Sequence, residues 1–207
     1  MNLKIKEYKN NIDEETKSKI MDFIKSENPD SILAKLSLSN INAYIDILIK
    51  SNKLYLFTCE LNNDTIGYAV LADKPKYLMS EFKNMKFKIF LNLIFNLNIL
   101  TIIDILISLL KIDLFKINKN NKEILNKNLN LNLIAIKNSF RSRGYGSFFL
   151  NELIKKFSDK DLFETICCET YSDQAESFYI KKLNFYKIGK KIRTKGLLTV
   201  LAKKLKY

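Results

Sequence analysis

The sequence has no histidine and only three cysteines, five glycines and two prolines among its 207 residues. The missing histidine removes the commonest general base and the commonest metal ligand together. Any general base must then be a carboxylate, a tyrosine, a thiolate or a relayed water. Cys59, Cys167 and Cys168 form an odd set with no ligand spacing, which argues against zinc, and no metal is expected. Adjacent Cys167 and Cys168 project to opposite faces of a strand, so they read as buried, reduced thiols. The opening MNLKIKEYKN has no apolar signal core, and the expected location is cytoplasmic.

The length fits one domain with a sizeable core, 47% of the residues being hydrophobic. Lys and Arg outnumber Asp and Glu by 35 to 22, unevenly: residues 1–73 hold 9 basic and 11 acidic side chains, leaving 26 and 11 downstream. The later part is a basic field that favours an anionic ligand, nucleic acid or a membrane surface, and charge alone does not choose among them. Nucleic acid is not an expected partner, because neither interleaved aromatics nor a binding motif accompanies the charge.

NLKIKEY, residues 2–8, alternates as a strand does. Asp13, Glu14 and Glu15 then supply a cap and first-turn carboxylates for a helix to about Ser26. After Pro29, the apolar positions Leu33, Leu36, Ile41, Tyr44 and Leu48 predict a second helix from Ser31 to about Ser51. KLYLFTCE and TIGYAVLA, joined by LNND, read as an antiparallel hairpin. Residues 76–118 are almost continuously apolar, long enough to span a bilayer. Yet Lys88, Asn92 and Asn96, then Asp104, Ser108 and Lys111, recur every three or four residues, and Asp104 would be expensive in lipid. The stretch therefore reads as a helical pair packed on the domain or in a homodimer. With the Asn- and Lys-rich connector that follows, it makes an insertion at about 76–126.

Beyond it the pattern changes. NLNLIAI (130–136) predicts a strand, RSRGYG (141–146) its exit loop, SFFLNELIKKFSD (147–159) a helix, FETICCET (163–170) a strand and AESFYIKKL (175–183) a helix, before two closing strands. A strand, helix, strand unit places its two strands parallel. A glycine-bearing loop between strand and helix has a direct use, since unhindered N–H groups and the positive helix end converge on an anion such as pyrophosphate. Arg141 and Arg143 would neutralise charge from the sides.

AIKNSFRSRGYGSFFLNELI resembles motif A of the GNAT superfamily of acetyl-CoA-dependent N-acetyltransferases, with R-x-x-G-x-G at Arg141, Gly144 and Gly146. AESFYIKKLNFYKIG resembles that family's next motif through Ala175, Phe178, Tyr179, Lys181 or Lys182, and Phe185; Ser172 and Asn184 depart from the asparagine and glycine usual there. The order of elements agrees as well. The resemblance implies an α/β (α+β) fold: one domain, residues 1–207, with a mixed central sheet, splayed parallel strands, helices on both faces and the helical insertion.

It also implies roles. Pantetheine would pair with the edge at Ile134, Ala135 and Ile136, and pyrophosphate would rest on the N–H groups from Arg143 through Gly144, Tyr145 and Gly146 to Ser147. Ser172 would contact the cofactor, Tyr179 would protonate the departing thiolate, and Glu169 is the candidate base. The expected activity is direct acetyl transfer from acetyl-CoA, as co-substrate, to a primary amine of a small molecule. The alternative is a non-catalytic CoA-binding or membrane-peripheral module built on the apolar insertion; membrane contact is not expected under the first reading.

Overall fold

The computed structural model describes residues 2–27, 29, 31, 33–73, 99, 103, 128–159, 162–194 and 196–205. The predicted insertion at 76–126, with its polar stripes, lies outside the described residues apart from 99 and 103. In chain order the elements are β1 (Leu3–Tyr8), α1 (Glu14–Glu27), α2 (Leu38–Lys50), β2 (Leu54–Leu61), β3 (Asp64–Ala72), β4 (Asn128–Ile136), α3 (Tyr145–Ser158), β5 (Thr165–Thr170), α4 (Asp173–Leu183), β6 (Tyr186–Arg193) and β7 (Gly196–Lys204).

Capping chemistry sets most helix starts. Asp13 Oδ1 accepts from Thr16 N–H at 2.7 Å, opening α1. The second helix begins at Leu38, later than its apolar periodicity predicts. Ser37 is extended there, and its Oγ accepts from Asn40 N–H at 3.3 Å, so the cap overrides the period. Leu33–Lys35 form a separate 3₁₀ turn instead, pinned by Lys25 Nζ, which donates to the Ala34 carbonyl at 2.6 Å and the Leu36 carbonyl at 2.5 Å. The β2–β3 hairpin turns at Asn62 and Asn63, both at positive φ (51° and 71°), which suits asparagine and the twist of a two-residue turn.

The seven strands form one sheet in the order β1-β2-β3-β4-β5-β7-β6. β4 and β5 run parallel and all other neighbours antiparallel. One face carries α1 and α2 over an apolar cluster that includes Ile20, Ile24, Ile41, Ile45, Leu56, Tyr68 and Val70. The other carries α3 and α4 over Phe57, Leu71, Leu131, Phe149, Phe157, Ile166, Cys168 and Tyr179. Helices thus cover both faces of a mixed sheet, as expected. Cys167 and Cys168 face opposite sides, and burial pushes the Cys167 thiol up to about 11. Among the described residues no helix is long and apolar enough to cross a membrane.

Candidate active site at the parting of two strands

Parallel pairing between β4 and β5 covers only Asn128↔Thr165 through Leu131↔Cys168. β4 continues to Ile136 along β3, where Gly67↔Ile136, Tyr68↔Ala135 and Ala69↔Ile134 are partners. The register shifts between Val70↔Leu133 and Leu71↔Leu131, so Asn132 is an extra residue, a β-bulge. The bulge turns β4 away from β5 while keeping it on β3. Past Leu131 no strand among the described residues lies beside the edge of β4 that faced β5, and a cavity of about 440 Å³ opens there.

That cavity is lined by residues 131–136 of β4 together with Glu27, Arg141, Glu169, Thr170, Ser172, Ala175 and Tyr179. Eight of the residues singled out in the sequence meet here: Ile134, Ala135, Ile136, Arg141, Glu169, Ser172, Ala175 and Tyr179. Arg143, Gly144, Tyr145, Gly146 and Ser147 do not line it; they belong to the turn and helix start that follow β4.

In that turn the geometry is left-handed twice, at Ser142 (φ 61°) and Gly144 (φ 85°). α3 begins at Tyr145, two residues earlier than predicted, because Gly144 takes the cap position and its carbonyl accepts from Phe148 N–H at 3.0 Å. Gly146 and Ser147 therefore lie in the first helical turn, where N–H groups have no acceptor within the helix and the helix dipole is positive. Gly144 itself meets nothing within 4 Å where a Cβ would stand.

The two arginines differ. Arg141 is braced: Nε donates to the Ile136 carbonyl at 2.8 Å, and one terminal nitrogen donates to Glu27 Oε2 at 3.2 Å and to the Glu27 carbonyl at 3.3 Å. Glu27 Oε2 also accepts from Asn138 N–H at 2.9 Å, which ties the end of α1 to the start of the turn. Arg143 is exposed, with its guanidinium 5.9 Å from the centre of the Phe140 ring.

On the far wall, Ser172 caps α4; its Oγ accepts from Ala175 N–H at 3.3 Å, so the helix starts at Asp173 rather than at Ala175. α4 ends at Asn184, left-handed at φ 57° where the family pattern has glycine. The turn brings Phe185 N–H to the Tyr179 carbonyl at 3.1 Å and the Phe185 ring to 5.3 Å from that of Tyr179. Tyr179 is buried in the same apolar cluster as Cys168. Burial first, then Cys168, raise its pKa. Glu169 is exposed at the rim, in an ion pair with Lys191.

Five lining residues had gone unremarked in the sequence, of which Leu131 and Leu133 read simply as apolar strand positions. Glu27 gives no local signal, since it acts 114 positions from its partner Arg141. Asn132 does carry one: it is polar in a strand whose neighbours Leu131, Leu133 and Ile134 are apolar. Thr170 carries none. Among the described residues no cluster of His, Cys, Asp or Glu has the makings of a metal site.

No protein-family model matches the chain, and no curated protein sequence does. Solved structures match in fold. A mosquito arylalkylamine N-acetyltransferase-like protein superposes with a TM-score of 0.63 at 12% identity, over 98% of this chain and 100% of that one. The ribosomal-protein-S18-alanine N-acetyltransferase from Escherichia coli gives 0.58 at 10% identity, over 100% and 96%. A GNAT-family acetyltransferase from Elizabethkingia anophelis, solved with acetyl-CoA bound, gives 0.53 at 13% identity, over 98% of each. The chain has the GNAT acetyltransferase fold.

Proposed function

We propose that the protein is an N-acetyltransferase that moves the acetyl group of acetyl-CoA directly to a primary amine. The observation that carries this reading is the parting of β4 and β5 after Leu131 and Cys168, with Tyr179 beside the gap and the glycine turn at its end. An amide-rich pantetheine imitates a strand, so it takes the place that β5 vacates along Ile134, Ala135 and Ile136. Pyrophosphate rests on the N–H groups from Arg143 to Ser147, with Arg143 lending charge from the solvent side while Arg141 braces the turn against Glu27.

The chemistry then needs three proton movements. The ammonium first gives up one proton; the amine attacks the thioester carbonyl carbon and the new C–N bond forms; the nitrogen sheds its second proton to water as the C–S bond breaks, and CoA leaves as a thiolate that takes up a proton. Tyr179 keeps its proton at neutral pH, because burial disfavours the phenolate, and its hydroxyl donates to the departing sulfur. Glu169 stands at the rim on the opposite face of the sheet, where an incoming ammonium would shed its proton. Ser172, committed to capping α4, contributes to the cofactor wall through the hydroxyl that already holds the helix start. A cavity of this size suits a small-molecule amine as acceptor.

Release of free thiol from acetyl-CoA, measured with pooled amines for wild type and Tyr179→Phe, tests the reading. Wild-type release that falls severalfold or more in the variant is the expected result. Acetyl-CoA binding without release for any amine would leave a binding module, and absence of binding would remove the proposal altogether.

A further inference from the structure

The end of α1 meets the glycine turn in space, although 114 positions separate Glu27 from Arg141. Arg141 folds back on its own strand through the bond from Nε to the Ile136 carbonyl. One terminal nitrogen of the same guanidinium meets the last residue of α1 twice, at the Glu27 carbonyl and at Oε2. The last carbonyls of a helix have no partner within it and carry the negative end of its dipole, so Arg141 caps α1 from a distant element. Its charge is engaged there by one carboxylate and two carbonyls. Asn138 N–H donates to the same Oε2 at 2.9 Å, and the Glu27 side chain is only 9% exposed. A single carboxylate oxygen thus holds both ends of residues 138–141.

The turn needs such a hold. Ser142 follows directly in left-handed geometry at φ 61°, a costly conformation for a residue with a side chain. Residues of this kind persist where their surroundings over-determine them. Were Ser142 to relax, the N–H groups from Arg143 to Ser147 would no longer converge on one anion. We infer that Glu27 is a positioning residue for the pyrophosphate of acetyl-CoA, an acidic side chain that raises affinity for a polyanion by fixing the turn through Arg141 and Asn138. The inference rests on the acetyltransferase reading of the site. Its sign separates it from simple electrostatics, because a carboxylate near a pyrophosphate repels it and charge alone would give Glu27 the opposite effect.

Glu27→Gln and Glu27→Ala remove the same negative charge, but only glutamine keeps an oxygen that accepts from Arg141 and Asn138. Calorimetric titration with acetyl-CoA should place Glu27→Gln within about twofold of wild type and Glu27→Ala weaker by about tenfold or more, the loss of hydrogen bonds that involve a charged group. In steady-state kinetics the alanine variant should carry that loss in the KM for acetyl-CoA, with kcat within about twofold of wild type. Equal or tighter binding in both variants would leave charge as the sole effect of Glu27 and overturn the inference. A fall in kcat of both variants at unchanged affinity would make Glu27 a proton acceptor and overturn it as well. Amide exchange gives a readout that needs no ligand. The N–H groups of Phe140 and Arg141, bonded to the Lys137 and Asn138 carbonyls, should exchange faster in Glu27→Ala than in Glu27→Gln or wild type. Coincident exchange in all three would overturn the inference. Wild type that binds no acetyl-CoA would instead strike down the proposed function, and exchange alone would then decide whether Glu27 holds the turn.

Discussion

Gly144 and Gly146 stand two residues apart in one motif, and the structure assigns them opposite responses to the same change. Gly144 sits at φ 85° with open space around it. A methyl group there meets no neighbour, so the whole effect of Gly144→Ala is backbone strain. A non-glycine residue in left-handed geometry costs about 1–2 kcal/mol, partly offset by about 0.4–1 kcal/mol from a less flexible unfolded chain. Net destabilisation near 1 kcal/mol lowers Tm by about 2–4 °C for a chain of this size. Gly146 lies inside α3, at ordinary φ, and its added Cβ would stand 3.6 Å from Phe178 Cζ and 3.7 Å from Ile136 Cγ1, both normal contacts. Alanine in a helix is favoured over glycine by roughly 0.5–1 kcal/mol, so Gly146→Ala should raise Tm by a similar few degrees. Gly144→Asn supplies the control, because asparagine visits the left-handed region far more readily than alanine; it should recover most of the loss. Thermal unfolding of the three variants, with acetyl-CoA titrated calorimetrically into each, checks the scheme. Gly144→Asn and Gly146→Ala should keep their affinity, since each leaves the path of the main chain intact. Equal destabilisation by alanine at the two positions, or no advantage of asparagine over alanine at 144, would refute the reasoning.

A Cβ on Gly67 would stand 2.5 Å from Ile136 Cδ1 and 2.9 Å from the Ala135 carbonyl oxygen. Gly67→Ala must therefore shift the β4 edge, with an expected loss of about 1–3 kcal/mol in denaturant unfolding and weaker acetyl-CoA binding; unchanged affinity would detach that edge from the cofactor. Burial pushes the Cys59 and Cys167 thiols up to about 11 from an ordinary value of 9.0. The folded state holds those protons more tightly than the unfolded chain, so their stabilisation is fully present below about pH 9 and is lost as pH rises from 9 through 11. Unfolding monitored from pH 7 to 11 should show a decline that sets in near 9 and is smaller in Cys59→Ala, and a curve as steep in that variant would contradict the assignment.

How much of this was legible in the sequence varies with the range of the interaction involved. Strand alternation in NLKIKEY and the two halves of the hairpin placed β1, β2 and β3 to within a residue or two. Capping needs only neighbours, and Asp13 was readable as a cap; Ser37 was equally local but was masked by an apolar period that ran through it. The site divides in the same way. Ile134, Ala135, Ile136, Arg141, Glu169, Ser172 and Tyr179 were brought to one cavity by motif and order together. The bulge at Asn132 was not visible, because it exists only as a mismatch between the registers of β3 and β4. Glu27 was hidden for a related reason: nothing on α1 foretells an ion pair with a turn more than a hundred residues away.

Regular strands stand about 4.8 Å apart, which leaves no room for a thioester, so a cavity inside a sheet has to be made by irregularity. Here the irregularities converge. The extra residue at Asn132 steers β4 off β5, two left-handed residues at 142 and 144 turn the chain into α3, and a third at 184 folds Phe185 back on Tyr179. The bulge also decides which side chains the cavity sees. Before it, Leu129 and Leu131 face the α3–α4 cluster; after it, Ile134 and Ile136 do, while Leu133 and Ala135 turn to the α1–α2 side. Were Asn132 to take an ordinary place in the pleat instead of bulging, the alternation would carry Leu133 and Ala135 to the α3–α4 side and send Ile134 and Ile136 across. Ile136 would then lose its seat above Gly67, a residue whose missing side chain makes room for it. The glycine on β3 and the asparagine on β4 are thus two halves of one local solution, each explaining why the other is there.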